Sequence, residues 1–241
     1  MALGVLAGGA CSARGDAMVV VPGGVYTNLY RDQGVVAVAA FEMDEVPVTN
    51  AEFLQFVTEH PEWRRSRIKR LFADTSYLAH WQDDLIPGPE APPDSPVVRV
   101  SWFAARAFAK AQGKRLPTLA EWEIAAQPDS SNNVARILAW YGKPVHGILP
   151  AVRGTFRNPF GLWDLHGLVW EWVDDFNTAL VTGESRADSG LERDMFCGSG
   201  ALGASSFEDY AAFMRYAFRS SLQARYTVPN LGFRCVRSLK P

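Results

Sequence analysis

The sequence predicts an α+β fold in which a few short helices and several short strands are joined by extensive ordered loops. Three observations predict it: helix-capping patterns in the middle of the chain, short strand-like runs on both sides, and 20 glycines and 15 prolines among 241 residues. Glycine and proline favour turns, whereas β-branched runs favour strands. Because 48% of the residues are hydrophobic, the chain can bury a full core, and we expect one large domain over residues 18–241.

Three helices are predicted from their N-cap residues. The first begins after Thr49, where a Thr-x-x-Glu capping box precedes apolar residues at helical spacing, and runs for about ten residues. The second begins after Ser101 and ends at Gly113. The third begins after Thr118, in another capping box, and ends at Pro128 because proline cannot continue a helix.

Short strands are predicted before and after these helices. The segments that favour strands are MVVVPGGVY, VVAVAAFEMD, GLVWEWV, MFCGSG and LGFRCVRS. Between the first two helices, residues 61–96 include the run IPGPEAPPDSP, whose prolines favour extended, irregular backbone. We therefore predict a long surface loop there.

Residues 1–17 are predicted to be a signal-like or disordered N-terminal segment. Small apolar residues lead up to Cys11, as at the end of a secretory or lipoprotein signal. One expectation is therefore a periplasmic or otherwise exported protein, with a lipid anchor at Cys11 as an option. The other is a cytoplasmic protein with a frayed N-terminus. No later apolar run reaches the length of a membrane span.

Charge and cysteine content exclude several classes of protein. The formal net charge is -2, and the basic residues are scattered, so we expect no nucleic-acid partner. The three cysteines are too few for a disulfide framework. Cys197 and Cys235 would pair in an oxidising compartment, or remain small buried side chains in a reducing one. The four histidines (His60, His80, His146 and His166) lack metal-ligand spacing, and each is expected to be surface-exposed or hydrogen-bonded.

The most informative stretch places one carboxylate between two indoles. In GLVWEWV, Glu171 lies between Trp170 and Trp172. If this segment is a strand, its period of two places Glu171 on the same apolar face as Val169 and Val173. A carboxylate in apolar surroundings is costly unless a cation or several donors meet it, so Glu171 must have a partner.

Two kinds of partner for Glu171 remain open. Arg219 or Arg234 would form a buried ion pair with it. Alternatively, a calcium ion would take oxygens from the Glu171 side chain and from the main-chain carbonyls of His166, Gly167 and Val169, since calcium prefers oxygen ligands.

Several separated segments together resemble the sulfatase-modifying-factor superfamily, that of the formylglycine-generating enzyme. They are DEVPVTNAEFLQF, VVRVSWFAARAFAKAQGKRLPTLAEWEIAA, NPFGLWDLHGLVWEWV, FCGSGAL and RYAFRSSLQARYTVPNLGFRCVRS. The resemblance spans roughly residues 18–238, and the order of the motifs is specific for the fold. It implies a C-type-lectin-like fold with a small twisted antiparallel sheet, a few helices and much loop.

The resemblance does not extend to the best-known activity of that superfamily. Its formylglycine-generating members carry two cysteines that bind copper and oxidise a substrate cysteine with oxygen. Here Leu202 and Ala211 fall near those positions, and no cysteine lies between Cys197 and Cys235. We therefore expect no formylglycine-generating activity and no copper, because a soft thiolate pair is what suits Cu(I). A soft site made of Cys197 and Met214 is the remaining option for copper.

The resemblance also implies a substrate-binding set. Ser199, Tyr210 and Arg219 fall at positions that resemble substrate contacts, and residues 201–216 have the composition of an ordered loop lining a cleft. A phenol and a guanidinium would bind a protein or peptide substrate, or a small anion. In the structural alternative Tyr210 packs within the fold, and Arg219 pairs with Glu171 or another acid.

Three functions follow from the sequence. The first is a noncanonical, exported accessory protein that supports maturation of another protein or metal centre. The second is an oxidoreductase that acts on a small molecule or peptide without the cysteine pair. The third is a non-catalytic, lectin-like binding module.

Overall fold

The computed structural model describes residues 17–27, 35–127, 131–143, 147–176 and 207–239. Its strands are β1 (Met18–Val21), β2 (Gly24–Thr27), β3 (Val35–Val38), β4 (Phe41–Asp44), β5 (Trp170–Glu171), β6 (Leu231–Gly232) and β7 (Val236–Ser238). Its α-helices are α1 (Asn50–Glu59), α2 (Trp102–Ala111), α3 (Leu119–Ala125), α4 (Ser131–Tyr141) and α5 (Phe207–Ser220), and a 3-10 turn spans Pro61–Trp63. The predicted α+β class is confirmed. The signal-like residues 1–16 and the predicted strand MFCGSG lie outside the described residues.

The described strands form three small sheets. The main sheet is antiparallel, with β4 between β1 and β7, so that Met43 pairs with Val19 on one side and with Val236 on the other. Strands β2 and β3 form an antiparallel pair, and β5 and β6 form a two-residue parallel pair in which Trp170 faces Leu231. The last pair joins the Glu171 region to the segment just before β7.

The three helices predicted from their caps are confirmed. Thr49 and Thr118 each accept a hydrogen bond from the backbone N–H three residues later, and each forms a complete capping box with its glutamate. Ser101 accepts in the same way at the start of α2. Gly113 follows the C-cap of α2 with a φ of +65°, a left-handed conformation that glycine adopts without strain.

The segment between α1 and α2 was predicted to be a surface loop, and this is only half right. It contains no strand and no helix beyond the 3-10 turn, yet Tyr77, Leu78 and Trp81 are fully buried in the core. Polar atoms of the buried aromatics find partners: the Tyr77 hydroxyl donates to the Trp63 carbonyl, and the Trp81 indole donates to Asn50 Oδ1. Prolines prevent regular structure here but do not keep the chain at the surface.

The prediction of a loop over residues 201–216 is wrong from residue 207 onward. The chain there forms α5, which buries Ala211, Arg215, Tyr216 and Arg219 at helical spacing. Two arginines on the buried face gave the segment a polar pattern that conceals its amphipathic period. The helix α4 was not predicted either, and it packs against α5.

Phenylalanine rings join α1, α2 and the sheet region into one core. Phe53 of α1 stacks on Phe108 of α2 with ring centroids 5.9 Å apart, and both rings meet Phe233 edge-on. Offset-stacked and edge-to-face pairs are the favoured aromatic arrangements. No helix in the described ranges is long and apolar enough to cross a membrane.

The N-terminal cap of α1 yields a stability prediction. Replacing Thr49 by alanine removes the hydroxyl that accepts from the Glu52 N–H and leaves only the bond from the Thr49 N–H to the Glu52 carboxylate, and we expect a loss of about 1 kcal/mol in the free energy of unfolding. The measurement is urea unfolding followed by circular dichroism.

Thr58→Ala is the matched control for this variant. Thr58 lies near the other end of α1, is exposed, and donates only to the carbonyl one turn earlier. Its replacement should change stability by less than about 0.5 kcal/mol. Equal losses for the two variants would contradict the capping assignment.

Candidate functional site

Glu171 and Arg234 form an ion pair that is closed off from solvent. Both side chains have 0% exposure, and Arg234 Nη2 lies 2.8 Å from Glu171 Oε1. Arg234 Nε also donates to both carboxylate oxygens at 2.9 Å. The Trp122 indole adds a fourth contact, 2.7 Å from Oε2. A carboxylate has about four lone-pair positions, so Glu171 is saturated by these donors.

The remaining donors of Arg234 bind the main chain of neighbouring segments. Nη1 donates to the carbonyls of Asp44 and Glu45 at the end of β4, and Nη2 donates to the Trp163 carbonyl at 2.8 Å. The guanidinium therefore satisfies backbone oxygens from two distant loops, as well as the carboxylate. Because a guanidinium has its five donors fixed in one plane, this arrangement holds β4, β5 and the loop before β7 in a defined relation.

The expected period of two along GLVWEWV holds only in part. Val169, Glu171 and Val173 are all buried, as predicted. However, the regular strand is only two residues long, and Trp172 is fully buried as well, with its indole donating to the Val100 carbonyl at 2.9 Å. Trp170 remains half-buried. The segment is short because β6 offers only two residues for pairing.

A second buried acid, Glu123 of α3, binds two arginines of α5. Arg215 Nη2 lies 2.7 Å from Glu123 Oε2, and Arg219 Nη1 lies 2.7 Å from Oε1. Arg215 also donates through Nε to both oxygens, and through Nη1 to the Tyr141 hydroxyl. Side-chain exposure is 10% for Glu123 and 4% for Arg219. This cluster attaches α5 to α3 by charge rather than by apolar packing alone.

Trp122 connects the two ion-pair clusters. Its indole N–H binds Glu171, while the Arg219 guanidinium lies over its ring at 4.5 Å from the centroid. His166 meets the same ring edge-on, with centroids 5.5 Å apart. A cation over an indole is the strongest form of cation–π contact. We call the set of Trp122, Glu123, Glu171, Arg215, Arg219 and Arg234 the buried ion-pair network.

Burial and charge shift the pKa values of groups around this network. Burial alone would raise the pKa of Glu123, but Arg215 and Arg219 outweigh it and lower the pKa to about 2. Burial, followed by the nearby Arg215, lowers the pKa of His166 to about 3. Near neutral pH Glu123 is therefore ionised and His166 is neutral, with Nε2 bonded to the Ala126 carbonyl at 2.9 Å.

The predicted substrate-binding residues do not come together within the described chain. Ser199 lies outside the described residues. Tyr210 lies on α5 with 40% exposure, and its ring is 6.4 Å from that of Phe213. Arg219 is buried and pairs with Glu123, so an acid does hold it, though not Glu171. The substrate-binding role of this set stays a prediction.

The predicted calcium ligands lie close together, but the side chain among them is already occupied. An ion that used Glu171 would have to displace Arg234 or Trp122, and the Glu171–Arg234 pair offers no net negative charge. The His166 carbonyl accepts from the Thr155 hydroxyl. No group of three or more histidine, cysteine, aspartate or glutamate side chains suited to a metal occurs in the described part of the chain.

Gly167 and Val169, the remaining two predicted calcium ligands, have structural roles. Gly167 has a φ of +106°, and a side chain there would meet Thr155 at 3.2 Å. Val169 is fully buried. The Glu171 carboxylate is occupied by other donors in this arrangement, and the calcium site stays a prediction. The copper option also stays a prediction, because Cys197 lies outside the described residues.

Sequence reasoning missed Glu123, Arg215 and the aromatic residues beside them. Trp170 stacks on Tyr141 at 4.7 Å and on Phe218 at 4.3 Å, and Trp140 lies 5.4 Å from it. We call these four half-buried rings the aromatic stack. The sequence signal for the missed ion pairs was Glu123, which follows Trp122 in an apolar helix. A second buried acid requires cations of its own, and this requirement would have pointed to the arginines of α5.

Comparison with known proteins identifies the relatives of this chain. The family model described as Sulfatase-modifying factor enzyme 1-like domain matches residues 6–239. A formylglycine-generating enzyme of Streptomyces coelicolor is 31% identical over 251 residues, which cover 81% of this chain and 77% of that protein. Inactive C-alpha-formylglycine-generating enzyme 2 of Bos taurus is 32% identical over 182 residues, or 57% of this chain and 60% of that protein.

One solved structure supports the fold independently. PvdO from Pseudomonas aeruginosa superposes with a TM-score of 0.51 at 21% identity, covering 92% of this chain and 94% of that one. At this identity the likeness concerns the fold alone.

Glu171→Gln tests the role of the first ion pair. The substitution keeps the shape of the side chain but leaves Arg234 buried without a counter-charge, and we expect a loss of about 3–5 kcal/mol in the free energy of unfolding. Chemical denaturation measures it. Glu42→Gln is the matched control, since Glu42 pairs with Arg237 at the surface and should cost little. Similar losses for the two variants would refute the special role of the buried pair.

The second ion pair predicts a loss of stability in acid. The folded-state pKa of Glu123 is about 2, below the ordinary 4.5, so its contribution is complete above pH 4.5 and is lost as the pH falls toward 2. The shift corresponds to a contribution on the order of 3 kcal/mol. Unfolding free energies measured between pH 7 and pH 2.5 should show this decline.

Two variants isolate the contribution of Glu123 to that decline. In Glu123→Gln the free energy of unfolding should depend less steeply on pH below pH 4.5, because the carboxylate that takes up the proton is gone. Glu59→Gln, at an exposed position of α1, should leave the dependence unchanged. An unchanged acid profile in Glu123→Gln would show that other groups dominate.

Proposed function

Because this chain belongs to the sulfatase-modifying factor enzyme 1-like domain family, we propose that it is a noncanonical member that binds a protein or peptide partner and supports its maturation without oxidising a cysteine. The observation that carries the proposal is the buried ion-pair network. Arg219 falls at a position resembling a substrate contact, yet its guanidinium is held between Glu123 and the Trp122 ring. A group committed in this way stabilises the fold and is not free to take part in chemistry.

The cysteine content supports the same proposal. Leu202 and Ala211 fall near the positions where the formylglycine-generating members carry their copper-binding pair. Among the described residues, Cys235 is fully buried, and burial raises the pKa of its thiol well above the ordinary value. A buried, protonated thiol is a poor nucleophile and a poor metal ligand. One curated relative is itself named inactive.

The aromatic stack is the proposed contact surface for the partner. Its four rings come from α4, β5 and α5, all are half-buried, and Tyr141 is held by the hydrogen bond from Arg215. Aromatic rings contribute large contact area with little loss of conformational freedom, and for this reason they are enriched where peptides bind. Through this hydrogen bond the ion-pair network holds the Tyr141 ring of the stack in place. Export is part of the proposal and rests on the small apolar residues of the signal-like segment alone.

One experiment tests binding and chemistry together. The purified protein is mixed with a sulfatase-derived cysteine peptide, Cu(I) and oxygen, with a formylglycine-generating enzyme run in parallel. We expect the peptide to change the tryptophan fluorescence, because Trp140 and Trp170 lie in the stack, and mass spectrometry to find no aldehyde product. Formation of the aldehyde would disprove the proposal. Oxygen uptake with thiol or catechol-like substrates would favour the oxidoreductase alternative.

The binding part has a matched pair of variants. Trp170→Leu removes the central ring of the stack and should weaken peptide binding at least about tenfold, which corresponds to about 1.4 kcal/mol. Trp63→Leu removes another half-buried indole, which packs beside Phe56 and Phe72, and should leave binding unchanged. Equal affinities of the two variants would remove the stack from the proposal.

A further inference from the structure

A cavity of about 250 Å³ lies between the loop before α2 and residues 147–149, and none of its lining residues belongs to the ion-pair network. Its apolar wall includes Pro96, Val98 and Leu149, and its polar lining is formed by Asn50, His80, Glu90, Ser95 and Arg99. At about 30 Å³ per molecule the volume would hold about eight waters, or one small organic molecule. Glu90 and Ile148 are exposed, so the cavity opens to solvent on their side.

Two of the polar groups in this cavity are already committed to the fold. The Asn50 amide donates to the carbonyls of Pro92 and Ser95, and its oxygen accepts from the Trp81 indole. The Ser95 hydroxyl donates to the Leu149 carbonyl at 2.7 Å. Neither side chain has a donor to spare for a ligand.

His80 is in the opposite situation. Both of its ring nitrogens are inaccessible to solvent and lack a hydrogen-bond partner within the described part of the chain. A buried polar atom without a partner costs roughly 1–3 kcal/mol, and such an atom in a native fold calls for an explanation. This finding corrects the expectation that His80 is surface-exposed or hydrogen-bonded. Burial, and then the nearby Arg99, lowers its pKa to about 4, so near neutral pH the ring is uncharged and offers one N–H donor.

Arg99 lies in the same cavity on strained backbone. Its φ is +56°, and Leu78, which donates to the Arg99 carbonyl at 3.0 Å, has a φ of +46°. Left-handed conformations are unfavourable for residues with large side chains, and they persist where the surrounding structure enforces them, often at functional sites. Here the Arg99 N–H is held in addition by the Val228 carbonyl. No hydrogen bond or ion pair of the guanidinium is found among the described residues.

We propose that this cavity binds a small organic carboxylate with a short aliphatic body. The Arg99 guanidinium would bind the carboxylate through two parallel N–H bonds, and the apolar wall would cover the aliphatic part. The His80 ring would lie in the wall beside the ligand without bonding to it, because its nitrogens face away from the open space. This site is separate from the aromatic stack and does not depend on the proposed peptide binding.

The test uses three probes with the whole 241-residue chain at pH 7. Pentanoate carries both the carboxylate and the aliphatic chain, pentanol lacks the charge, and inorganic phosphate lacks the chain. Calorimetry should detect pentanoate binding at one site and no binding of the other two. In protein whose histidines are labelled with ¹⁵N, the chemical shifts of the His80 ring nitrogens should change during the pentanoate titration, because the ring lies in the wall of the cavity.

Arg99→Gly is the decisive variant, because glycine adopts a positive φ without strain and the fold should survive. Pentanoate affinity should fall at least about tenfold in this variant. Arg99→Asn, whose side chain also tolerates the left-handed backbone, should lose affinity in the same way. Arg67→Gln, at an exposed arginine outside the cavity, is the control and should bind pentanoate like the wild-type protein.

Three outcomes would overturn the carboxylate site. They are no pentanoate binding to the wild-type protein, equal pentanoate affinity in wild type and Arg99→Gly, and Arg99-dependent binding of phosphate without binding of pentanoate. The first would leave a cavity filled by water alone. The last would assign the pocket to inorganic oxyanions instead.

Discussion

The structure depends above all on keeping one pair of opposite charges together away from water. Neither Glu171 nor Arg234 has any exposed side-chain surface, so each would be strongly unfavourable without the other. This requirement explains the carboxylate between two indoles. Trp172 points into the core and binds the Val100 carbonyl, and Trp170 forms the centre of the aromatic stack. The acid between them accepts from Arg234 and from the Trp122 indole, which together satisfy its lone pairs.

The same constraint organises the surroundings of the pair. Trp122 donates to Glu171, and the Arg219 guanidinium lies over its ring. Trp122 therefore connects the Glu171–Arg234 pair to the ion pairs that Glu123 of α3 makes with the arginines of α5. Family membership supplies the frame, and inside this frame two buried glutamates face three arginines. Ion pairs that are hydrogen-bonded in a dry interior hold their elements in one geometry.

Local signals in the sequence predicted the parts of the fold that local physics determines. The capping boxes at Thr49 and Thr118 set the starts of two helices, because the hydrogen bonds involved lie within four residues. The need for a partner at Glu171 was also predictable, and the choice among Arg219, Arg234 and calcium was not, since it depends on contacts between residues far apart in the chain. The helix α5 was missed for the same reason: Arg215 and Arg219 look solvent-facing until Glu123 is placed opposite them.

Arg234 also has a consequence for how the chain is made. Its guanidinium binds the Asp44 carbonyl, 190 residues earlier, and the strand that follows it pairs with β4. Such contacts between remote segments slow folding, because a large loop must close before they form. During synthesis, Glu171 therefore leaves the ribosome well before its counter-ion does. Until residue 234 arrives, Glu171 can stay hydrated but cannot be buried without an unpaired charge, so this domain should complete its core only after translation has passed that point.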